Sequence, residues 1–256
     1  MIKFFRHIRK SLLMENKKSK PALPAGRYLK YAIGEIILVV IGILIALGIN
    51  NWNEKRKDTS FELKMLKEIQ INLKKDLRRD TLILEERIKV KKEAIINVLE
   101  IINSNKKVED SIVKKEFYIA GIGIVFTYDD GAYQALKAIG LDKISNDFLR
   151  NKLVRFFDHN LPLAKTFIGY NENYNYQKSE ELKGDIVNLK YVKGKNWYIT
   201  REISLKTLKN NPNVIKLLDL ESDIHWNYNL RMNDIIRSYK EIIESVTQEI
   251  KRLEND

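Results

Sequence analysis

Asp129-Asp130-Gly131, following Val125, Phe126, Thr127 and Tyr128, is the acidic pair best placed for acid–base work. Neighbouring carboxylates divide those roles when burial drives their pKa values apart. The same residues also make an ordinary helix start, with acids ahead of a glycine facing the positive end of the helix, and capping is the reading adopted. Three histidines occur, His7, His159 and His225, without the HxxxH spacing that would put two ligands on one helix face. With no cysteine in the chain, thiol catalysis, disulfides and cysteine-based zinc or iron–sulfur sites are excluded. GIGIV at Gly121–Val125 stops short of GxGxxG, and neither GxxxxGK[ST] nor GxSxG occurs. No catalytic residue, cofactor or metal site is therefore assigned.

The residues suited to contact are different ones. Glu35 is the only charge in AIGEIILVVIGILIALGI, Ala32 to Ile49. A carboxylate inside an apolar span is expensive and finds a partner or a task. Here it reaches the cytoplasmic interface or pairs with Lys30, or else meets another membrane protein or serves a proton-coupled role. Gly42 and Ala46 form a small-xxx-small pair that lets two membrane helices approach closely. Farther on, GYNENYNYQ (Gly169–Gln177) and HWNYN (His225–Asn229) mix rings with amides, which suits sugar or peptide contact as well as the end of a bundle. Tyr170, Tyr174, Tyr176 and Trp226 are the candidate contact residues there.

The elements that position these groups start with the apolar run. Eighteen residues at 1.5 Å each cover about 27 Å, close to the hydrocarbon thickness of a bilayer. Tyr28 and Tyr31 precede it and Trp52 follows, the headgroup-level aromatics of a spanning helix. Nine Lys and Arg against the single acid Glu15 lie in the first thirty residues, so most of the net charge of +12 sits there. That asymmetry places the N-terminus in the cytoplasm and the bulk of the chain outside, although Lys55, Arg56 and Lys57 oppose it. It also assigns the basicity to anionic lipid and not to nucleic acid. Ala46-Leu47-Gly48 has the small residues of a signal-peptidase site, but a thirty-residue basic lead is far longer than an n-region.

Within that lead, Ile2, Phe5, Ile8 and Leu12 share one helical face, with Lys3, Arg6, Arg9 and Lys10 mostly opposite. This is the pattern of a helix lying in the interface, its basic residues toward lipid headgroups. A linker with Pro21 and Pro24 follows. The strings FFRHIRKSLL and YLKYAIGEIILVVIGILIALGINNWNEKRKD, with the later DDGAYQALKAIGLDKISNDFLRNKLVRFFD, resemble an uncharacterised family of bacterial single-pass membrane proteins common in the Bacteroidota. Members often carry Gln where this chain has Gly48. The resemblance implies an envelope protein with a helical exterior domain, and no activity.

From Asn53 to Asn103 there is no Gly or Pro. A stripe at Leu66, Ile69, Leu73, Leu77, Leu84, Ile88, Ile95, Val98 and Ile102 averages the 3.6-residue period of a straight helix, so one long helix is expected, continuing the membrane helix. A second stripe, Tyr228, Met232, Ile235, Tyr239, Ile242, Val246, Ile250 and Leu253, predicts an antiparallel partner that returns the C-terminus toward the membrane. Between them the sequence predicts a helix over Gly131–Ile139 stopped by Gly140, and one capped by Asn146 that bends at Pro162 and reaches Glu180. Residues 185–200 form a loop or a small hairpin. A helix opens after Asn211-Pro212, with a later break at Ser222 or Asp223.

The fold expected is mostly α: an N-terminal amphipathic helix, one transmembrane helix and a long-helix bundle ectodomain. The segments are 1–30, basic and cytoplasmic; 31–52, transmembrane; and 53–256, an extracytoplasmic bundle. The function expected is non-enzymatic: an inner-membrane envelope protein that binds another envelope protein or itself, with its exterior in the periplasm. A ligand-sensing bundle that signals through a partner is the alternative, and a membrane-tethered enzyme the last resort.

Overall fold

A computed structural model describes residues 25–193 and 198–255. The expected interfacial helix with Lys3, Arg6, Arg9 and Lys10, and most of the proline linker, lie outside the described residues. The chain divides between Lys57 and Asp58 into two units.

The described part of the first unit belongs to helix α1, which runs Ala25–Ile83. Every residue from Ala32 through Lys57 is exposed. The window within it that is apolar enough to cross a membrane is 0% buried, and it is the one such helix among the described residues. A soluble helix hides its apolar stripe, but here Ile36 and Ile45, on opposite sides of the helix, stand 62% and 51% exposed. After the run, the Arg56 guanidinium lies 5.8 Å from the Trp52 ring centre, and Asn50 donates to Glu54 at 3.1 Å.

The second unit is built on two long helical runs. One is the remainder of α1, a π-helical turn at Leu84–Lys89, and α2, Val90–Asn103. The wide turn follows from the sequence. Buried positions step 3, 4, 3 from Leu66 to Asp76, then 4, 4, 4 through Asp80, Leu84 and Ile88. Repeated steps of four drift around a 3.6-residue helix, and a turn with one extra residue restores the phase. The other run is α8, Asn213–Asn255, whose stripe from Tyr228 to Leu253 is buried throughout as expected. The break expected at Ser222 or Asp223 is absent, because Glu221, Ile224 and Tyr228 keep the core-facing phase across that point.

The two runs are antiparallel. Lys67 meets Glu254 at 2.6 Å, Gln70 donates to Thr247 at 2.7 Å, the Tyr239 hydroxyl donates to Asp76 at 3.4 Å, and Lys91 meets Glu221 at 2.5 Å.

Shorter helices wrap this pair. They are α3 (Asp110–Ala120), α4 (Gly131–Ile139), a 3-10 turn at Leu141–Lys143 and α5 (Asp147–Arg155). A second π-turn at Phe156–Asn160 leads into α6 (Leu161–Ile186). Pro162 sits in the first turn of α6, where a missing N–H is tolerated, and α6 runs past the expected end at Glu180. Gly140 stops α4 as expected, at φ 134°, the conformation that suits glycine. Asn146 caps α5 by accepting from the Leu149 N–H at 3.1 Å. At the start of α4 the capping expectation needs correction, because Asp130 holds the cap position without a side-chain cap bond. Asp129 instead accepts the Gly131 N–H at 3.1 Å, and Asp130 takes Gln134 Nε2 at 2.9 Å.

Residues 188–202 resolve as the hairpin alternative. β1 (Asn188–Val192) and β2 (Tyr198–Glu202) pair antiparallel, Asn188 opposite Glu202. A short α7, Leu205–Asn210, capped by Ser204, leads to α8. Two apolar clusters fill the unit. One has Tyr133 stacked on Phe157 at 4.5 Å and Phe156 edge-on to Tyr239 at 5.0 Å; the other gathers residues of α2, α3, α7 and the start of α8.

Candidate functional site

In the apolar helix, Glu35 is exposed, and a Cβ built on Gly42 would meet no heavy atom within 4 Å. The small-residue face shared with Ala46 is therefore open to whatever approaches it.

The four exterior aromatics separate into two places. Tyr170 and Tyr174 stand one helical turn apart on α6, with rings parallel at 5.7 Å and an interplanar angle of 4°. Tyr176, two residues on, turns to a different face and lines a cavity of about 100 Å³ with Gly121, Ser179, Lys183, Glu221 and Tyr228. Trp226 on α8 is 63% exposed.

Glu221 is the hub beneath that cavity. Its Oε2 accepts from Lys91 Nζ at 2.5 Å; its Oε1 accepts from Ser179 Oγ at 2.5 Å, with Lys183 Nζ at 3.6 Å. Lys91, fully buried, also donates to the carbonyls of Ala120 at 2.7 Å and Ile122 at 3.1 Å. One ammonium thus ties α2 to α8 and to the turn after α3, with an acceptor for each of its three protons. A Cβ on Gly121 would lie 2.8 Å from Lys183 Cε and Nζ, so glycine there lets the lysine pass close to the backbone. Burial first, then the charges of Lys91 and Lys92, hold the His225 pKa below its ordinary value.

A second polar cluster lies where α1 faces α8. Asp76 Oδ1 accepts from Arg79 Nη1 at 2.7 Å, and its Oδ2 takes the Asp129 N–H at 2.8 Å as well as the Tyr239 hydroxyl. Arg79 also donates to Asp80 Oδ1 at 3.1 Å and to the Thr127 carbonyl. Arg79 and Asp76 thereby clamp the extended chain ahead of α4. Asp80 is fully buried, and its Oδ2 has no hydrogen-bond partner among the described residues. Burial pushes its carboxyl up to about 6, against the opposing pull of Arg79. Burial, and then Asp76 and Asp80, raise the Tyr239 hydroxyl well above its ordinary value.

A third cluster joins Glu62, Ser145, Asn146, Glu249 and Arg252. Glu62 accepts the Ser145 N–H at 2.9 Å, Asn146 Nδ2 donates to Glu249 at 2.6 Å, and Arg252 donates to Glu249 at 2.6 Å.

None of Glu62, Asp76, Asp80, Lys91, Glu221 and Glu249 is among the sites expected from the sequence. Their signal was nevertheless present, because Asp76 and Asp80 fill the gap between Leu73 and Leu84 at the phase of the apolar stripe itself. Most charges of the three clusters are answered by groups of the same chain, but Asp80 Oδ2 is the exception among the described residues and the Glu221 cluster borders a cavity. The carboxylates Asp76 and Asp80 share one helix.

Against this background the chain is similar to a family of unknown function (DUF6090) over residues 35–160, just under half its length. The matched stretch opens at Glu35 and closes with the π-turn before α6, so it includes the apolar helix from Glu35 on, Asp76, Arg79 and Asp80, and the whole DDGAYQALKAIGLDKISNDFLRNKLVRFFD block. No curated protein and no solved structure matches the chain.

Proposed function

We propose that this chain is a non-enzymatic, single-pass protein of the bacterial inner membrane that works by binding other envelope proteins or copies of itself. Its basic N-terminus is cytoplasmic and its helical bundle periplasmic. The observation that carries the reading is the apolar helix from Ala32 to Ile49, exposed on every side, whose side chains have lipid as their natural solvent. The basic lead ahead of it supports the orientation. The internal pairing of most buried charges and the open aromatic face of α6 support contact over catalysis.

Alkaline carbonate is the first test. The intact chain should stay in the membrane pellet, and the bundle should be cleaved by protease added to spheroplasts. Recovery of the chain in the carbonate supernatant, or a bundle that resists protease until detergent is added, ends this reading. Crosslinking in native membranes then identifies what the bundle touches.

One observation favours the sensing alternative: Ser179, Lys183, Glu221 and Tyr176 converge on the same half-open cavity. At about 100 Å³ it has room for a few waters or one small polar group, so a sensed ligand would insert only a head group. An unfolding midpoint that rises with a small carboxylate or amine, and fails to rise in Ser179→Ala, would favour sensing.

A further inference from the structure

The outer face of α6 carries Leu163, Phe167, Tyr170 and Tyr174, each between 39% and 63% exposed. Their alternating spacing of 4, 3 and 4 keeps them on one face of the helix, as at the a and d positions of a pairing seam, on the side away from the buried Ala164, Ile168 and Ser179. The neighbouring helix extends this ridge. The Arg231 guanidinium lies 4.4 Å from the Phe167 ring centre, and Ser179 bonds Glu221, which fixes α6 and α8 antiparallel. That register puts Trp226 at the level of Asn173 and Leu230 at the level of Gly169. The two ring-and-amide segments, fifty residues apart in sequence, therefore come to the same height of the bundle.

We propose that this ridge of α6 packs against the same ridge of a second copy of the chain, about a two-fold axis along the helices. The inference deepens the contact reading above, and rests on it, by naming the partner.

Charge is the argument for self-pairing. Across a two-fold axis each residue meets its own copy, so a charge near the axis repels itself. The chain is 31% charged with a net +12, yet between Gly169 and Gln177 the only charge is Glu172, and between Ile224 and Leu230 there is none apart from the titratable His225. Amides and tyrosine hydroxyls both donate and accept, so each can bond its own image. The charges that border the neutral stretch are each engaged within the bundle: Arg231 lies over the Phe167 ring at 4.4 Å, Lys165 over the Tyr128 ring at 5.7 Å, and Asp234 pairs with Arg237 at 2.7 Å, which leaves Tyr170 and Tyr174 as the neutral centre of the ridge. The parallel Tyr170–Tyr174 stack presents two rings already ordered, which lowers the entropy lost on pairing. One membrane anchor on each copy confines the copies to the same bilayer, which raises the effective concentration for self-pairing.

A chain without cysteine gives a clean test. Single cysteines are placed in the full-length protein in proteoliposomes at Leu163, Phe167, Tyr170 and Tyr174, and at Lys165 and Thr166 off the ridge, then oxidised with copper phenanthroline. Disulfide-linked dimer should form at the ridge roughly tenfold faster than off it, following the 4-3-4 spacing. In detergent, light scattering should show a dimer that becomes a monomer in Tyr170→Asp/Tyr174→Asp, with helicity unchanged because both side chains are exposed. Equal yields on and off the ridge overturn the proposal. So does crosslinking confined to Gly42→Cys, ridge capture of a different protein, or saturable binding of tetra-N-acetylchitotetraose that Tyr174→Ala abolishes. The anchor is read separately. A chain that stays in the carbonate pellet but fails to crosslink at the ridge sinks only the pairing, whereas release by carbonate sinks the membrane reading.

Discussion

Asp80 and Lys91 are both buried charged residues, and the chain treats them oppositely. Lys91 has three acceptors and one opposite charge, whereas Asp80 has an arginine on one oxygen and, among the described residues, no hydrogen-bond partner on the other. The folded Asp80 carboxyl keeps its proton to about pH 6, while in the unfolded chain it releases it near 3.8. Its contribution to stability therefore falls as pH rises across that window and is flat above it. Asp80→Asn should raise stability at pH 7.5 by about 2 kcal/mol, an advantage that vanishes toward pH 4. Thermal unfolding followed by circular dichroism across that pH range checks it, and a pH-independent difference would contradict the assignment. Lys91→Met goes the other way. It leaves Glu221 Oε2 and two carbonyls without their donor, with Ser179 and Lys183 still at Oε1, and should cost about 3 kcal/mol. The double variant Lys91→Met/Glu221→Leu should recover much of that loss, since a buried pair removed whole leaves no orphaned charge. Denaturant midpoints of the two variants measure the difference.

The π-turn at Leu84–Lys89 is one extra residue in a helix, and it has a consequence for deletions. Removing the exposed Glu86 should convert it to an ordinary α-turn and leave the α1 and α2 faces in phase, with the unit still folded. Removing Lys75 rotates every later residue of the run by about 100°, swings Ile88 and Val98 out of the core, and should abolish cooperative unfolding. Protease resistance of the two deletions tells them apart. The turn also marks how far the sequence could be read. Both apolar stripes, the Gly140 stop and the Asn146 cap were legible because each depends on local chemistry or helical period alone. The wide turn was hidden because the stripe averages 3.6 residues over its whole length, and the local run of four-residue steps appears only once Asp76 and Asp80 are counted as core. That requires knowing that Arg79, Asp129 and Tyr239 come to meet them, which is tertiary information. The break expected at Ser222 or Asp223 failed for the same reason. Glu221 looks like a surface residue until Lys91, distant in sequence, is seen beside it. The exterior tyrosines were recognisable as a group, but only helical phase separates Tyr176, at its cavity, from the Tyr170–Tyr174 stack.

For the whole molecule the deciding contest is between two sets of positive charge. Lys17, Lys18, Lys20, Arg27 and Lys30 precede the apolar helix, and Lys55, Arg56 and Lys57 follow it. Basic residues near the ends of a span resist translocation, and the larger set stays in the cytoplasm. The proposed direction rests on five against three, a narrow margin, so it should be reversible by modest changes. Alkaline phosphatase fused after Asp256 should be active with the natural sequence, because that enzyme matures only outside the cytoplasm. Replacing Lys17, Lys18, Lys20, Arg27 and Lys30 with Gln should lower that activity severalfold as a share of chains inserts the other way round. Replacing Lys55, Arg56 and Lys57 with Gln should leave it unchanged or higher. An inactive fusion to the natural sequence would invert the topology. The α6 ridge would keep its geometry, and two copies anchored in one bilayer would still meet there, now on the cytoplasmic side.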